Sequence, residues 1–308
     1  MSKPRRFHRD VDGILLLDKA FGVSSNAALQ EVRELFGARK AGHAGSLDPL
    51  ATGLLPVCFG QATKVCGRLL SAGKRYRVTV QLGARTESLD CETPVIEHAV
   101  VPPLSEEFVD KVLQGFLGEQ EQMPPMHSAL KFEGKRLYEL ARKGESVERA
   151  TRRITITSIA RVALGPAQLE FDVSCSKGTY IRSLAADIAA KLGTLGYVAA
   201  LRRTEIEPFQ QLPSYTASDL QARRGSHPVE ILDSLLLRAD VAFGDLGETH
   251  LESASEEALL KGQAVQATTM APLAPLRAYA ADGRFLGLVE GQPDGRVRPV
   301  RLFVPGSG

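Results

Sequence analysis

Gly42-His43-Ala44-Gly45-Ser46-Leu47-Asp48-Pro49-Leu50-Ala51-Thr52-Gly53 is the stretch on which the reading of this chain turns. Three glycines and an Asp-Pro pair within twelve residues mark a loop with a constrained backbone. Upstream, Ser24 or Ser25 can cap a helix whose apolar face (Ala28, Leu29, Val32, Leu35, Phe36) runs to a stop at Gly37. Downstream, the apolar run from Leu54 to Phe59 reads as a buried strand. The loop's one carboxylate, Asp48, stands among small residues where a ligand can approach closely. Two roles fit it, a turn aspartate capping its own backbone and a catalytic group. The loop alone does not choose between them.

Farther out, residues 75–82 alternate, with Tyr76, Val78, Val80 and Leu82 on one face and Arg75, Arg77, Thr79 and Gln81 on the other. A second alternating strand (Leu169, Phe171, Val173, Cys175) runs into Ser176-Lys177-Gly178-Thr179-Tyr180-Ile181-Arg182. A helix follows, with Leu184, Ile188 and Leu192 inward and Gly193 as its cap. Arg182, at that strand-to-helix junction, is the natural partner for Asp48. A paired arginine lowers a carboxylate's pKa and keeps it ionised, which is what nucleophilic attack on a sugar or base carbon requires. A surface arginine in a helix's first turn fits the same position. Tyr76 is in phase with the buried face yet begins its strand, so it serves either the core or a pocket wall. His43 stands between a loop histidine and a base-contacting group.

Between the two strands, residues 123–153 hold a Pro-Pro break, a short helical pattern at Leu137, Leu140 and Ala141, a stop at Gly144 and dense Lys/Arg. That composition suits an excursion from the sheet that grips a ligand. After about residue 245 the texture changes. Asp282-Gly283 between residues 276–280 and 285–289 signals a hairpin, and Asp294-Gly295 a second turn before residues 296–304. These make a β-rich C-terminal domain of about 55 residues, joined through the acidic, helix-prone stretch 217–248.

The 308 residues suit two domains, and 44% hydrophobic with 24% charged content suits a globular chain. No apolar run reaches the ~18 residues that span a bilayer. The basic start, Ser2-Lys3-Pro4-Arg5-Arg6, lacks the apolar segment of a secretion signal, which points to the cytoplasm and no membrane partner. The four cysteines, Cys58, Cys66, Cys91 and Cys175, have neither metal-ligand nor disulfide-framework spacing and read as buried small hydrophobes. There is no phosphate-binding P-loop and no dinucleotide fingerprint, so any chemistry runs on side chains, with no cofactor and no metal. The net charge of +2 hides a segregated pattern: residues 131–153 carry 8 Lys/Arg against 4 Asp/Glu, and residues 91–130 carry 1 against 7. Basic segments of this kind fit a polyanion-binding face as well as a solvated surface. A glycosidase normally needs two carboxylates, and the loop supplies one.

The loop, continued through Leu54-Leu55, resembles the catalytic motif of the TruB-type tRNA pseudouridine synthases. Other matching segments follow in family order: Gly13-Ile14-Leu15-Leu16-Leu17-Asp18-Lys19 with Ser24-Ser25, Lys74-Arg75-Tyr76, Pro124-Pro125 with Ser128-Ala129-Leu130-Lys131, Ser176 to Arg182, and Leu201-Arg202-Arg203. The resemblance covers residues 11–210, and the C-terminal hairpins, ending Arg298-Pro299-Val300-Arg301-Leu302-Phe303, resemble the family's PUA-type RNA-binding domain. It implies an α+β fold, a mixed, largely antiparallel sheet with flanking helices, over residues 11–245, with an RNA-gripping insert at 123–153. A small PUA-like β-barrel would follow over 250–305.

The implied activity is conversion of uridine 55 in the tRNA T loop to pseudouridine, by a monomer that flips the base out. The implied roles are Asp48 as nucleophile, Arg182 as its ion-pair partner, and Tyr76 stacking on the uracil and helping to move the C5 proton. His43, Tyr180 and Leu201 would line the pocket, with Lys19, Lys64 and Lys131 as phosphate or structural contacts. Ala44 and Ser46 stand where the family often has Thr, and His127 where Tyr is commoner, which touches RNA contacts rather than the reaction. Three other readings compete: an RNA-binding protein that keeps the scaffold without the chemistry, an RNA-guided synthase, and a carbohydrate hydrolase.

Overall fold

The computed structural model describes residues 9–128, 131–132, 134–137, 144–145, 147–267 and 274–303. Among the described residues seventeen strands run in chain order. They are β1 (Gly13–Lys19), β2 (Ala41–His43), β3 (Thr52–Phe59), β4 (Lys74–Leu82), β5 (Ala84–Thr86), β6 (Val95–His98), β7 (Gly118–Gln122), β8 (Lys131–Phe132) and β9 (Lys135–Arg136), then β10 (Arg152–Leu164), β11 (Gln168–Cys175), β12 (Gly196–Ile206), β13 (Glu248–Leu251), β14 (Val265–Gln266), β15 (Pro275–Ala280), β16 (Phe285–Gly291) and β17 (Arg296–Leu302). Eight form the central sheet, ordered β1-β3-β12-β4-β11-β10-β7 with β2 beside β3. Every pairing is antiparallel except β3 with β12. The mixed, largely antiparallel α+β sheet is therefore as expected.

Alternation explains the layers. Tyr76, Val78, Val80 and Leu82 of β4 pack with Leu169, Phe171 and Val173 of β11 beneath the helix Ile181–Lys191, which buries Ile181, Leu184 and Ile188. Toward the β1 end of the sheet the helix Ser25–Leu35, capped by Ser24, buries Ala28, Leu29 and Val32 against β1 and β3. Gly37, at φ +59°, follows the end of that helix as expected. The chain leaves the sheet after β7 and rejoins it at Arg152, paired with Gln122, so the expected excursion lies between two neighbouring strands. Its motif positions Ala129, Leu130, Leu140 and Ala141 lie outside the described residues.

Strands β13 to β17 form the second sheet, ordered β13-β15-β16-β17-β14, a curled half-barrel. Both expected turns occur, with Gly283 and Gly295 at φ near +80°. This sheet shares a core with the first: Phe285 and Phe303 pack on Phe243, in a cluster that also holds Ile14, Leu16, Leu54 and Cys58. Two hydrogen bonds cross the same seam, Lys64 Nζ to Leu302 O at 2.6 Å and Arg301 Nη1 to Lys64 O at 2.8 Å. Among the described residues no helix is long and apolar enough to cross a membrane.

The cysteines depart from expectation. Cys58 and Cys175 are buried, but Cys66 is half-buried and Cys91 exposed. Cys66 opens a short helix at the edge of the core, and Cys91 lies in the loop between β5 and β6. Small size permits burial but does not require it.

Candidate active site

The motif loop is clamped from several directions. Ser25 Oγ donates to Leu47 O at 2.9 Å and accepts the Leu47 N–H at 2.7 Å. Lys19, fully buried, donates to Ala20 O, Val23 O and Pro49 O. Leu50 N–H reaches Glu92 Oε1 at 3.1 Å, and Arg203 Nη2 donates to Gly45 O at 2.8 Å while its Nε holds Leu54 O at 2.7 Å. Gly53 has φ +97°, and a Cβ there would lie 2.3 Å from Arg203 O. Only glycine lets β3 approach β12 in parallel at that point.

These contacts present Asp48 in a cavity of about 360 Å³ lined by Leu47, Lys74, Tyr76, Tyr180, Arg182 and Leu201 among others. That volume is within the ~300–1,000 Å³ typical of ligand sites. Asp48 Oδ2 lies 2.9 Å from Arg182 Nη2, and its side chain keeps 44% of its surface exposed. Arg182 is buried, so its surface-residue reading is overturned: its Nη1 pairs with Asp90 Oδ2 at 3.0 Å and donates to Ser88 O at 2.9 Å, and its Nη2 donates to His127 O at 2.7 Å. Asp90, wholly buried, is held in turn by Ser88 Oγ and the Glu92 N–H. Arg182 therefore bridges two carboxylates, one open to the cavity and one behind it.

The electrostatics differ from expectation. Arg182 pulls the Asp48 pKa down, but partial burial and the nearby Asp90 carboxylate outweigh it, and the net direction is upward. The ion pair reduces a desolvation cost without cancelling it. Burial pushes the Tyr76 phenol above its ordinary range, with Arg203 pulling the other way. Lys19 and Lys74 are each lowered to about 8, chiefly by burial.

Of the residues named from sequence, Asp48, Tyr76, Tyr180, Leu201 and Arg182 share the cavity. Tyr180 is also stacked under Arg152, whose guanidinium lies 5.1 Å from the ring centroid. Lys19 sits behind the loop, its ammonium engaged by three carbonyls. Lys64 lies away from the cavity, at the seam with the second sheet. His43 is on β2 and is not among the cavity's lining side chains, although its Nδ1 is buried without a hydrogen-bond partner. Lys131 falls on β8, and its side chain lies outside the described residues.

Three charged residues around Asp48 received no site role from the sequence: Asp90, Lys74 and Arg203. For two of them a signal existed. Lys74 is in phase with Tyr76 on β4, and Arg203 with Leu201 on β12, so each is a charge at an inward strand position, which calls for buried partners. Asp90 belongs to an irregular turn far from Asp48 in sequence, and no periodicity marks it.

The comparisons with known proteins agree with one another. Residues 33–181 match the TruB family pseudouridylate synthase N-terminal domain, residues 182–243 a tRNA pseudouridylate synthase B C-terminal domain, and residues 247–303 a pseudouridine synthase II TruB C-terminal domain. The tRNA pseudouridine synthase B of Chromohalobacter salexigens is 46% identical over 301 residues, covering 97% of this chain and 96% of its own. That of Nitrosococcus oceani is 44% identical, with both chains covered in full. In fold, the chain is similar to a structure of a Cbf5-Nop10-Gar1 complex at TM-score 0.71 and 22% identity, covering 98% of this chain and 88% of that one. With family models reaching from its first helix to its last strand, and relatives matched along their whole length, the chain belongs to the TruB family of pseudouridylate synthases.

Proposed function

We propose that this protein isomerises uridine 55 in the T loop of tRNA to pseudouridine, with Asp48 as nucleophile. One observation carries the assignment of Asp48: its carboxylate faces the cavity while its partner Arg182 is fixed from behind by Asp90. The tRNA substrate is supported by the relatives' names. In the reaction the N1–C1′ bond breaks, the base turns, and a C5–C1′ bond forms. The C5 proton leaves and N1 gains one, so atoms balance without a second substrate. Asp48 attacks uracil C6 or ribose C1′ and is regenerated at the end.

The target base must leave its stack at a cost of a few kcal/mol. Stacking on Tyr76, at about 1–3 kcal/mol per base, offsets much of that. Tyr180 and Leu201 complete the wall, His43 contacts the RNA, and Lys131 and the second sheet add salt-dependent backbone contacts, while Lys64 serves as a structural contact at the seam and Lys19 braces the loop. On this reading residues 11–245 are the catalytic domain, 123–153 its RNA-gripping insert and 250–305 an RNA-binding domain, in a cytoplasmic monomer acting on the T-arm.

The test uses a T-arm hairpin tritiated at uracil C5, without added cofactor or metal. Release of tritium at the T-loop uridine is expected, and tight binding without release would overturn the assignment. Tyr76→Phe is expected to bind the same RNA within about twofold of wild type and to lose turnover by about 10²-fold or more. Unchanged turnover would exclude the phenol hydroxyl from proton transfer.

A further inference from the structure

We infer that Phe21 is a rigid stacking platform for an unpaired base of the substrate RNA, beside the catalytic loop; this rests on the RNA-modifying function proposed above. Phe21 is 65% exposed, more than any other phenylalanine or tyrosine among the described side chains. Single exposed apolar residues are common and ordinarily need no explanation. What sets this one apart is its mounting. Phe21 and Gly22 form a turn directly after β1, with Gly22 at φ +77°. The buried Lys19 ammonium braces both ends of the turn, donating to Ala20 O at 2.9 Å and Val23 O at 2.6 Å.

The same turn is tied to the catalytic loop. Gly22 N–H donates to Pro49 O at 2.9 Å, and Lys19 reaches that oxygen at 3.3 Å. Pro49 follows Asp48 directly. A buried cation thus holds an aromatic tip against the residue next to the reacting carboxylate and leaves most of the Phe21 surface exposed. Beyond Gly22 lies open space, since a Cβ built there meets no atom within 4 Å. A flat apolar ring held still costs little ordering entropy on binding, and bases splayed from an RNA loop are the flat partners such rings accept. A turn needs no phenylalanine at its tip, so neither packing nor backbone geometry accounts for the residue.

The chain has no tryptophan, so Phe21→Trp installs a sole indole reporter at the site. The experiment titrates unlabelled T-arm hairpin into this variant, reading tryptophan emission, and measures hairpin affinity of wild type, Phe21→Ala and Phe21→Trp by anisotropy of an end-labelled copy. Emission is expected to change and to saturate at the RNA concentration that saturates the anisotropy. Phe21→Ala is expected to bind roughly tenfold more weakly, and Phe21→Trp about as wild type, with melting temperatures unchanged because the ring packs on no core. Emission that stays constant at RNA saturation, or full affinity in Phe21→Ala, overturns the platform while leaving the proposed reaction standing. Failure of wild type to bind the hairpin at all overturns the reaction reading and the platform together.

Discussion

Asp48→Asn is expected to abolish tritium release, by on the order of 10⁴-fold or more, while leaving the melting temperature equal to or above that of wild type. The first half follows from removing the one carboxylate of the clamped loop that faces the cavity. The second follows from the sign of the pKa. In the fold the Asp48 carboxyl lies above its ordinary value because burial penalises the charged form. The stability this group contributes is full below the unfolded pKa and is lost as pH rises through the folded one. At neutral pH the ionised side chain is therefore a cost to the fold. A neutral amide of the same shape removes that cost, and Arg182 keeps Asp90 and two carbonyls. A gain of about 1–3 °C is expected at pH 7, shrinking as pH falls through the raised Asp48 pKa, below which wild type is neutral too. Calorimetry across pH 4 to 8 checks it. A lower melting temperature for Asp48→Asn at pH 7 would make Asp48 a structural anchor.

Arg182→Met is expected to destroy activity and stability together. Removing one partner from a buried charge pair costs about 3–5 kcal/mol, because the other charge is left uncompensated. Here the stranded group is Asp90, which has no exposed surface. At roughly 2–4 °C per kcal/mol for chains somewhat smaller than this one, a fall of about 10 °C follows. Arg182→Met combined with Asp90→Asn should recover most of that loss and none of the turnover, since the stranded charge is gone but Asp48 still lacks its cation. If the double variant melts as low as the single one, the destabilisation comes from lost packing and lost hydrogen bonds to Ser88 O and His127 O rather than from Asp90. Comparing unfolding midpoints and turnover of the three variants separates these cases.

The layers of the fold were legible because alternation in β4 and β11 and the Ser24-capped helix are local signals. So was the motif loop, whose glycines report backbone geometry directly: Gly53 admits a neighbouring carbonyl, and Gly45 sits at φ +85°. The pairing of Asp48 with Arg182 was suggested by resemblance and by charge, but its setting was not. That Arg182 is shared with Asp90 depends on the loop between β5 and β6 folding back over the sheet, where Leu89 N–H and C=O positions matter and Leu89 itself takes φ +61°. Tertiary contacts of that kind leave no period in the sequence. The direction of the Asp48 pKa was likewise out of reach, since it is a balance between a cation and a degree of burial that only the folded chain sets. Lys19 and Arg203 show the same limit from the other side: both are basic residues, and both are consumed in holding carbonyls.

The seam between the two sheets bears on how the enzyme is made. Lys64 and Leu302 are hydrogen-bonded across 238 residues of sequence, and the Phe303 ring closes a core begun by Ile14 and Leu16 of the first strand. A ribosome delivers β17 after every strand of the first sheet, so that sheet waits on it with Phe243 and its neighbours uncovered. A nascent chain in that condition exposes apolar surface for as long as translation lasts, the situation in which chaperones are most needed. A truncation ahead of β17 would therefore be felt first as aggregation of the first sheet.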